Sequence, residues 1–408
     1  MPKFFTGFKM SILEKLGDKY YWQQLLKSKK DGGHLSAREE KLFVDFINEE
    51  RYAPIVKDIL DGKPFPLPTV KSLNKKNAKK KRTVFVFEES CNMVLKLLAF
   101  LLNSYDHLFY NNLYSFRHNV CVKNALSSIL KATKGGSYYT YKVDVSDYFN
   151  SVSPEKISAL IDKHLCDDLP VAAFIKSLIL QPYCIKDGEA VCINKGIMAG
   201  VPISGFLANL YLMELDALFF NKGVTYARYS DDIIVFAKTL GEIEEYKQVI
   251  DEHLAQKGLA INPKKEVLTA PGEPWEFLGF SVKDGKVDIS TIALEKIKDK
   301  MRRKAKALVR WKKRNNKSSE RAICAFIRHF NRKFYNNPDL NDITWCRWYF
   351  PTISSSESLH VIDEYMLSCI RYIETGKHTK ANFNLRYETI KGFGYKSLVN
   401  EFYKCKKQ

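Results

Sequence analysis

The chain has 408 residues, 45% of them hydrophobic, enough for a buried core and too many for a disordered chain. Its 65 Lys and Arg against 46 Asp and Glu leave a formal charge of +19, which points to a polyanionic partner and above all to nucleic acid. No apolar run is long enough for a transmembrane span, MPKFFTGFKM lacks a signal-peptide pattern, and the nine scattered cysteines contain no CxxC pair; the expectation is a reduced, cytoplasmic protein with no membrane partner and no zinc site.

In chain order, the first 70 residues read as a helical extension that ends at Pro64, Pro66 and Pro68, whose fixed φ and missing N–H groups stop a helix. The basic run from Lys71 to Arg82 reads as an exposed loop, Thr83 to Phe87 as a strand and Asn92 to Asn103 as an apolar helix. Residues 138–145 (YYTYKVDV) form a β-rich run. Ser153 and Pro154 then suit an N-cap and first helical position, with Lys156 where a full capping box needs an acid or amide.

Further on, an apolar helix is expected at 204–220 and two strands around a tight turn at 224–237. An amphipathic helix follows at 242–257 and a strand at Trp275 to Val282. This alternation predicts an α+β fold, a mixed or antiparallel sheet with helices on one face. From Lys296 to Lys333 lie 16 basic and two acidic residues, net +14 of the +19, with Ile297, Met301, Ala305 and Leu308 on one helical stripe. That pattern predicts a helix packed along its apolar stripe with cations elsewhere, either a grip on a polyanion or simply a solvated basic face. The remainder is aromatic and mixed, a further helical region.

Two acidic sites stand out. Asp231 and Asp232 sit in Tyr229-Ser230-Asp231-Asp232, flanked on both sides by strand-formers, so they fall at a hairpin tip. A plain Asp-rich turn is the bland alternative. Asp144 lies inside a β-branched run, where a lone carboxylate serves no structural purpose unless it caps the next turn; Asp147 is the better capping or surface residue. A strand-borne acid aimed at two others is a set of hard oxygen ligands that suits Mg²⁺. Two such ions activate a hydroxyl and stabilise a leaving pyrophosphate in phosphoryl transfer.

Taken together, these segments resemble the ordered motifs of reverse transcriptases. Asp144 with Tyr148 and Phe149 resembles motif A. Gly196-Ile-Met-Ala-Gly200-Val-Pro-Ile-Ser204 through Leu212 resembles motif B, and Tyr229 to Asp232 motif C. Leu259 to Lys265 resembles motif D, and Phe277-Leu278-Gly279-Phe280 the primer grip. Lys81-Arg82 to Leu98 and Tyr114-Ser115-Phe116-Arg117 resemble the fingers. The set covers about residues 80–282.

The resemblance implies a right-hand polymerase with an N-terminal extension at 1–70, fingers at 71–135 and a palm at 136–283 carrying an insertion at about 153–195. A basic helical thumb would span 284–335 and a helical C-terminal domain 336–408. It implies catalysis by Asp144, Asp231 and Asp232, with two Mg²⁺ (Mn²⁺ as a substitute) held by these acids and the carbonyl of Val145. Lys81, Arg82, Phe149, Gly200 and Lys265 would meet the nucleotide. In that set Phe149 is a gate against a 2′-hydroxyl or else a core ring, and Lys265 is a proton donor to pyrophosphate or else a solvated lysine. Arg117, Phe277, Leu278, Gly279, Arg302, Arg303, Lys312, Lys313 and Arg314 would contact nucleic acid.

One departure is Met198-Ala199-Gly200 where the family's motif B reads Pro-Gln-Gly. After Lys333 no RNase H acid cluster and no Cys/His-rich endonuclease module is visible. The ending resembles bacterial defence-associated reverse transcriptases, type 2 the nearest, that work with a small noncoding RNA against phage. Retron and group II intron enzymes share the same core. The implied partners are a structured noncoding RNA template, the cDNA product and deoxynucleoside triphosphates. An inert nucleic-acid-binding protein on a polymerase fold remains the alternative from a different class.

Overall fold

The computed structural model describes residues 10–32, 35–74, 81–335 and 344–407. The chain forms two compact units, one up to Pro271 and one from Gly272. Both mix helices with antiparallel strands, an α+β architecture.

The first unit contains two sheets. One has the order β2-β1-β4-β5, built from β1 (Thr69–Asn74), β2 (Lys81–Val86), β4 (Tyr183–Lys186) and β5 (Glu189–Cys192). In it β1 and β2 are antiparallel, and β1 meets β4 in parallel at Thr69 and Ile185. The basic run expected as a loop is therefore strand at both ends, since Lys71 and Arg82 lie in paired β-strands; its middle, 75–80, lies outside the described residues. The other sheet has the order β6-β7-β3-β8, from β3 (Tyr139–Asp144), β6 (Tyr226–Tyr229), β7 (Asp232–Ala237) and β8 (Val267–Thr269), and every pairing is antiparallel.

Val143, Ile233, Ile234 and Val235 of this second sheet are fully buried. The helix Leu240–Gln256 packs on β3 and β7, started by a capping box between Thr239 and Glu242. Ser153 caps the helix Pro154–His164 by accepting from the Lys156 N–H. Asp147 adopts a left-handed backbone (φ 44°) at the N-cap of Tyr148–Ser151, on the surface as expected. The helix expected at 204–220 is broken in two: Ser204–Tyr211 ends at Leu212 (φ −110°), and Met213–Asn221 begins there. At the N-terminal side, the buried Asp168 accepts from the Ser11 hydroxyl, the Ile12 N–H and the Val171 N–H, so one carboxylate ties the first described helix to the helix Leu169–Leu180.

The second unit begins with a three-stranded antiparallel sheet of β9 (Trp275–Phe277), β10 (Phe280–Lys283) and β11 (Lys286–Ile289). The stretch 275–283, expected to close the palm, thus belongs to the later unit because its strands pair with one another and with β11. The expected strand at 275–282 turns at Leu278 (φ 52°) and Gly279 (φ 88°). The basic segment is two helices, Thr291–Arg314 and Ser319–Phe334. The first buries the expected stripe Ile297, Met301, Ala305 and Leu308 and packs on the helix Glu357–Thr375. Among the described residues no helix is long and apolar enough to cross a membrane.

Lys312 does not act as a free surface cation. Its Nζ donates to the carbonyls of Ile373 (2.8 Å) and Glu374 (2.9 Å) and to the Ser319 hydroxyl (2.8 Å). It therefore caps the C-terminal end of Glu357–Thr375, where unpaired carbonyls and the negative end of the helix dipole favour a cation. Replacing Lys312 with Met is expected to cost about 1–2 kcal/mol of stability, whereas Lys313→Met, at an exposed position on the same turn, changes it by less than about 0.5 kcal/mol. Urea unfolding of both variants reads the difference.

Candidate active site

Antiparallel pairing of β3 with β7 sets Asp144 directly opposite Asp232. The Val145 N–H donates to the Asp231 carbonyl at 3.0 Å and locks the strand ends together just past the pair. Carboxylate oxygens of Asp144, Asp231 and Asp232 all lie within 4.8 Å of one another, with Asp144 buried and the other two half-buried. Three acids this close repel unless cations neutralise them, and hard oxygen donors suit a divalent ion. Asp144 is held on its other side by Asn262, whose backbone N–H donates to the Asp144 carbonyl at 2.8 Å.

Lys265 supplies one cation from the chain itself, its Nζ in an ion pair with Asp144 Oδ2. Burial opposes the Lys265 ammonium, but the bond to Asp144 outweighs it and raises the pKa. Burial, then repulsion from Asp232 and Asp144, pushes Asp231 up to about 6.

The Tyr229–Asp232 turn is strained and firmly held. Ser230 has φ 60°, a left-handed conformation that costs a non-glycine residue about 1–3 kcal/mol. Its N–H donates to the Ser115 hydroxyl at 2.8 Å and its carbonyl accepts from Arg228 Nη1 at 3.3 Å. Arg228 is fully buried. Its Nε and Nη2 fork onto both oxygens of Asp216, at 2.8 and 2.5 Å, and Nη2 also reaches the Asn209 carbonyl. Tyr226 donates its hydroxyl to the same carboxylate at 3.0 Å. Asn209 in turn bonds Ser115 twice, through Oδ1 to its hydroxyl and Nδ2 to its carbonyl.

Ser115, Asn209, Asp216 and Arg228 escaped the sequence reading as site residues. The only sequence signal for the last two was a charge in the middle of an apolar helix and another in an apolar strand.

Around the acids, motif B is joined to β2 by the Phe85 N–H on the Ala199 carbonyl at 2.8 Å. Gly200 has φ 99°, and a Cβ there would sit 3.2 Å from the Phe85 carbonyl, so only glycine fits without strain. The Phe149 carbonyl accepts from the Ile197 N–H, which ties motif A to motif B. Lys81 and Arg82 enter β2 through paired backbone, and their side chains lie outside the described residues.

Other expected contacts are placed differently. Arg117 turns inward: its guanidinium forks onto Asp106 at 2.8 and 2.9 Å and donates to the Tyr110 and Leu113 carbonyls, a scaffold role that leaves little for nucleic acid. In the second unit, Phe277 is fully buried and serves the core, while Leu278 and Gly279 form the half-buried turn beside it. Arg302, Arg303, Lys313 and Arg314 are exposed on the basic helix, Arg302 paired with Asp299 at 2.5 Å.

The family profile described as reverse transcriptase (RNA-dependent DNA polymerase) matches residues 73–282. The chain belongs to the reverse transcriptase family. Among curated proteins it is similar to the retron Ec86 reverse transcriptase of Escherichia coli, 23% identical over 189 residues, covering 45% of this chain and 53% of that protein. It is also similar to the retron Mx65 reverse transcriptase of Myxococcus xanthus, 26% identical over 162 residues and 36% of each chain. The chain thus spans about half, or less, of the length of these curated relatives. Among solved structures it is similar to an apo telomerase from Candida tropicalis truncated from its C-terminal domain (TM-score 0.43, 14% identity, 55% of each chain). A telomerase from Candida albicans with a fragment of telomeric RNA gives TM-score 0.44 and 12% identity over 85% of this chain and 68% of that one.

Two outcomes follow from the site's electrostatics. Removing one partner of the buried pair, by Arg228→Met or Asp216→Ala, should cost about 3–5 kcal/mol because the other charge stays buried and unpaired; denaturant midpoints measure it. Because the Asp231 pKa is raised above its ordinary 3.8, folded protein without added cations binds a proton that the unfolded chain releases. That contribution to stability is complete below about 4 and is lost as the pH rises through about 6. A divalent cation competes with the same proton, so calorimetric titration should show its affinity rising from pH 5 to pH 7, and Asp231→Asn should flatten the rise.

Proposed function

We propose that this chain is an RNA-directed DNA polymerase that copies a bound, structured noncoding RNA into cDNA in the cytoplasm, in defence against phage. The observation that supports the chemistry most directly is the meeting of Asp144, Asp231 and Asp232 within 4.8 Å on facing strand ends. In this reading the three acids, with the Val145 carbonyl, hold two Mg²⁺, for which Mn²⁺ substitutes. Bound there, such ions activate a primer 3′-hydroxyl and neutralise charge on the departing pyrophosphate.

The chain's own residues do the rest. Lys81 and Arg82 bind the triphosphate, Gly200 lets the motif B backbone lie against β2 beside it, and Phe149 crowds the sugar C2′ so that deoxynucleotides are selected. Lys265, whose ammonium already rests on Asp144, delivers a proton to the leaving pyrophosphate oxygen. The exposed cations Arg302, Arg303, Lys313 and Arg314 bind nucleic acid by its phosphates. Both curated relatives are retron reverse transcriptases, which favours a retron-type enzyme as the second reading. Sequencing the RNA that co-purifies with the protein, together with any DNA joined to it, separates the two. DNA covalently joined to the RNA supports the retron-type reading, whereas a separate cDNA of a small noncoding RNA supports the first.

On a primed RNA template, Asp144→Ala and the pair Asp231→Ala/Asp232→Ala should abolish deoxynucleotide incorporation while the protein stays folded. Wild-type incorporation by either would remove these acids from the mechanism. Lys265→Met should lower kcat by about 100-fold, the scale of a lost general acid. It should leave divalent-cation affinity equal or higher, because a competing cation has gone from Asp144. A fall in affinity with kcat unchanged would make Lys265 a structural partner only.

A further inference from the structure

We propose that Phe116 is a positioning residue for sugar selection, a ring that props Phe149 in its gating position. The inference rests on the reading of Phe149 as the sugar gate and names the element that fixes it. Phe116 is 51% exposed, although Phe is among the residue types most often buried. It is also held at φ 52°, a backbone region that bulky side chains rarely occupy. Strain of this kind collects at functional sites, where surrounding structure enforces it.

Two contacts show what the enforced position achieves. On one side, the Phe116 ring meets Phe149 edge to face, with centroids 6.1 Å apart and planes at 86°, the favoured geometry for an aromatic pair. On another, it lies against Gly205 in the motif B helix, where an added Cβ would sit 2.6 Å from Phe116 Cγ. Gly205, the second residue of the helix Ser204–Tyr211, is not in a left-handed conformation that would call for glycine; the approaching ring gives it a reason to lack a side chain. Phe116 also lines a cavity of about 210 Å³ together with Leu102, Phe109, Pro202 and Phe206, so the ring has space to move if its stop is altered. The Phe149 backbone is already tied to motif B at Ile197. The Phe116 ring adds the constraint on the Phe149 side chain, whose tilt decides whether a 2′-hydroxyl fits.

Single-nucleotide incorporation by the full chain on one primed RNA template, with dGTP and with GTP, tests the proposal. Compared are wild type, F149A, F116A, F116L, F116Y, G205A and the double variant F149A/F116A. In F116A and F116L the GTP-to-dGTP ratio of kcat/KM should rise by about three- to tenfold, the size of one aromatic contact. F116Y, which keeps the ring edge, should stay near wild type. G205A, which displaces the ring from the other side, should move the ratio in the same direction as F116A. The double variant should match F149A alone, since Phe116 acts only through that ring.

If F149A raises the ratio while F116A and F116L leave it unchanged, Phe116 is only a packing residue and the inference fails. If the double variant instead multiplies the two effects, Phe116 does not act through Phe149 and the inference fails. An unchanged ratio in F149A itself overturns the gate reading, and this inference with it. Melting temperatures taken in parallel keep the result readable: F116L retains apolar bulk without the ring edge and carries the test if F116A is destabilised.

Discussion

The placement of the three acids in the first unit depends on a buried ion pair, Arg228 with Asp216. Three carboxylates cannot be brought within 4.8 Å by their own attraction, because they have none. The fold must impose their position from below, and the means is the strained turn at Ser230. That residue is gripped by its N–H through Ser115 and by its carbonyl through Arg228. Arg228 can serve as a fixed post because both its own position and its charge are settled by Asp216 and by carbonyls around it. A hydrophobic pair of equal volume would be as stable or more so, but it could not hold the turn's carbonyl. The polar core is explained by what it positions.

Strand register does the remaining work. Side chains alternate faces along a strand, so a slip of one residue between β3 and β7 would turn the acid of one strand away from its partner. The register is secured by the fully buried Val143, Ile233, Ile234 and Val235 on one hand and by the Val145 to Asp231 bond on the other. With both faces of β7 buried, the Val145 to Asp231 bond is what marks the register that brings Asp144 opposite Asp232.

How much of this was readable in advance follows from the range of each interaction. Asp144, Asp231 and Asp232 were legible because acids interrupting β-branched runs are locally anomalous, and the hydrophobic stripe of Thr291–Arg314 was legible because helical periodicity is local. Ser115 and Asn209 were not, since they meet 94 residues apart in sequence and each alone is an ordinary polar residue. Arg117 and Lys312 were expected on nucleic acid; in the fold their cations bond Asp106 and the end of the helix Glu357–Thr375. The Lys312 partners at the helix end lie more than 60 residues away and are not written near it, whereas those of Arg117 are near in sequence, Asp106 only 11 residues before it. The break at Leu212 was invisible because Tyr211-Leu212-Met213 contains no Gly or Pro to announce it.

The departure in motif B then has a physical reading. Ala199 occupies the place where a longer amide was expected, yet its contribution to the fold is a backbone carbonyl that accepts from Phe85. That bond needs no side chain. It carries the motif B loop against β2, the strand that begins with Lys81 and Arg82, and Gly200 permits the close approach by having no Cβ. What the missing amide would have supplied is a side-chain contact; what the chain retains is the geometry of the wall. On the reading proposed above, discrimination in such a wall comes from rigid apolar shape, supplied by the paired rings of Phe149 and Phe116.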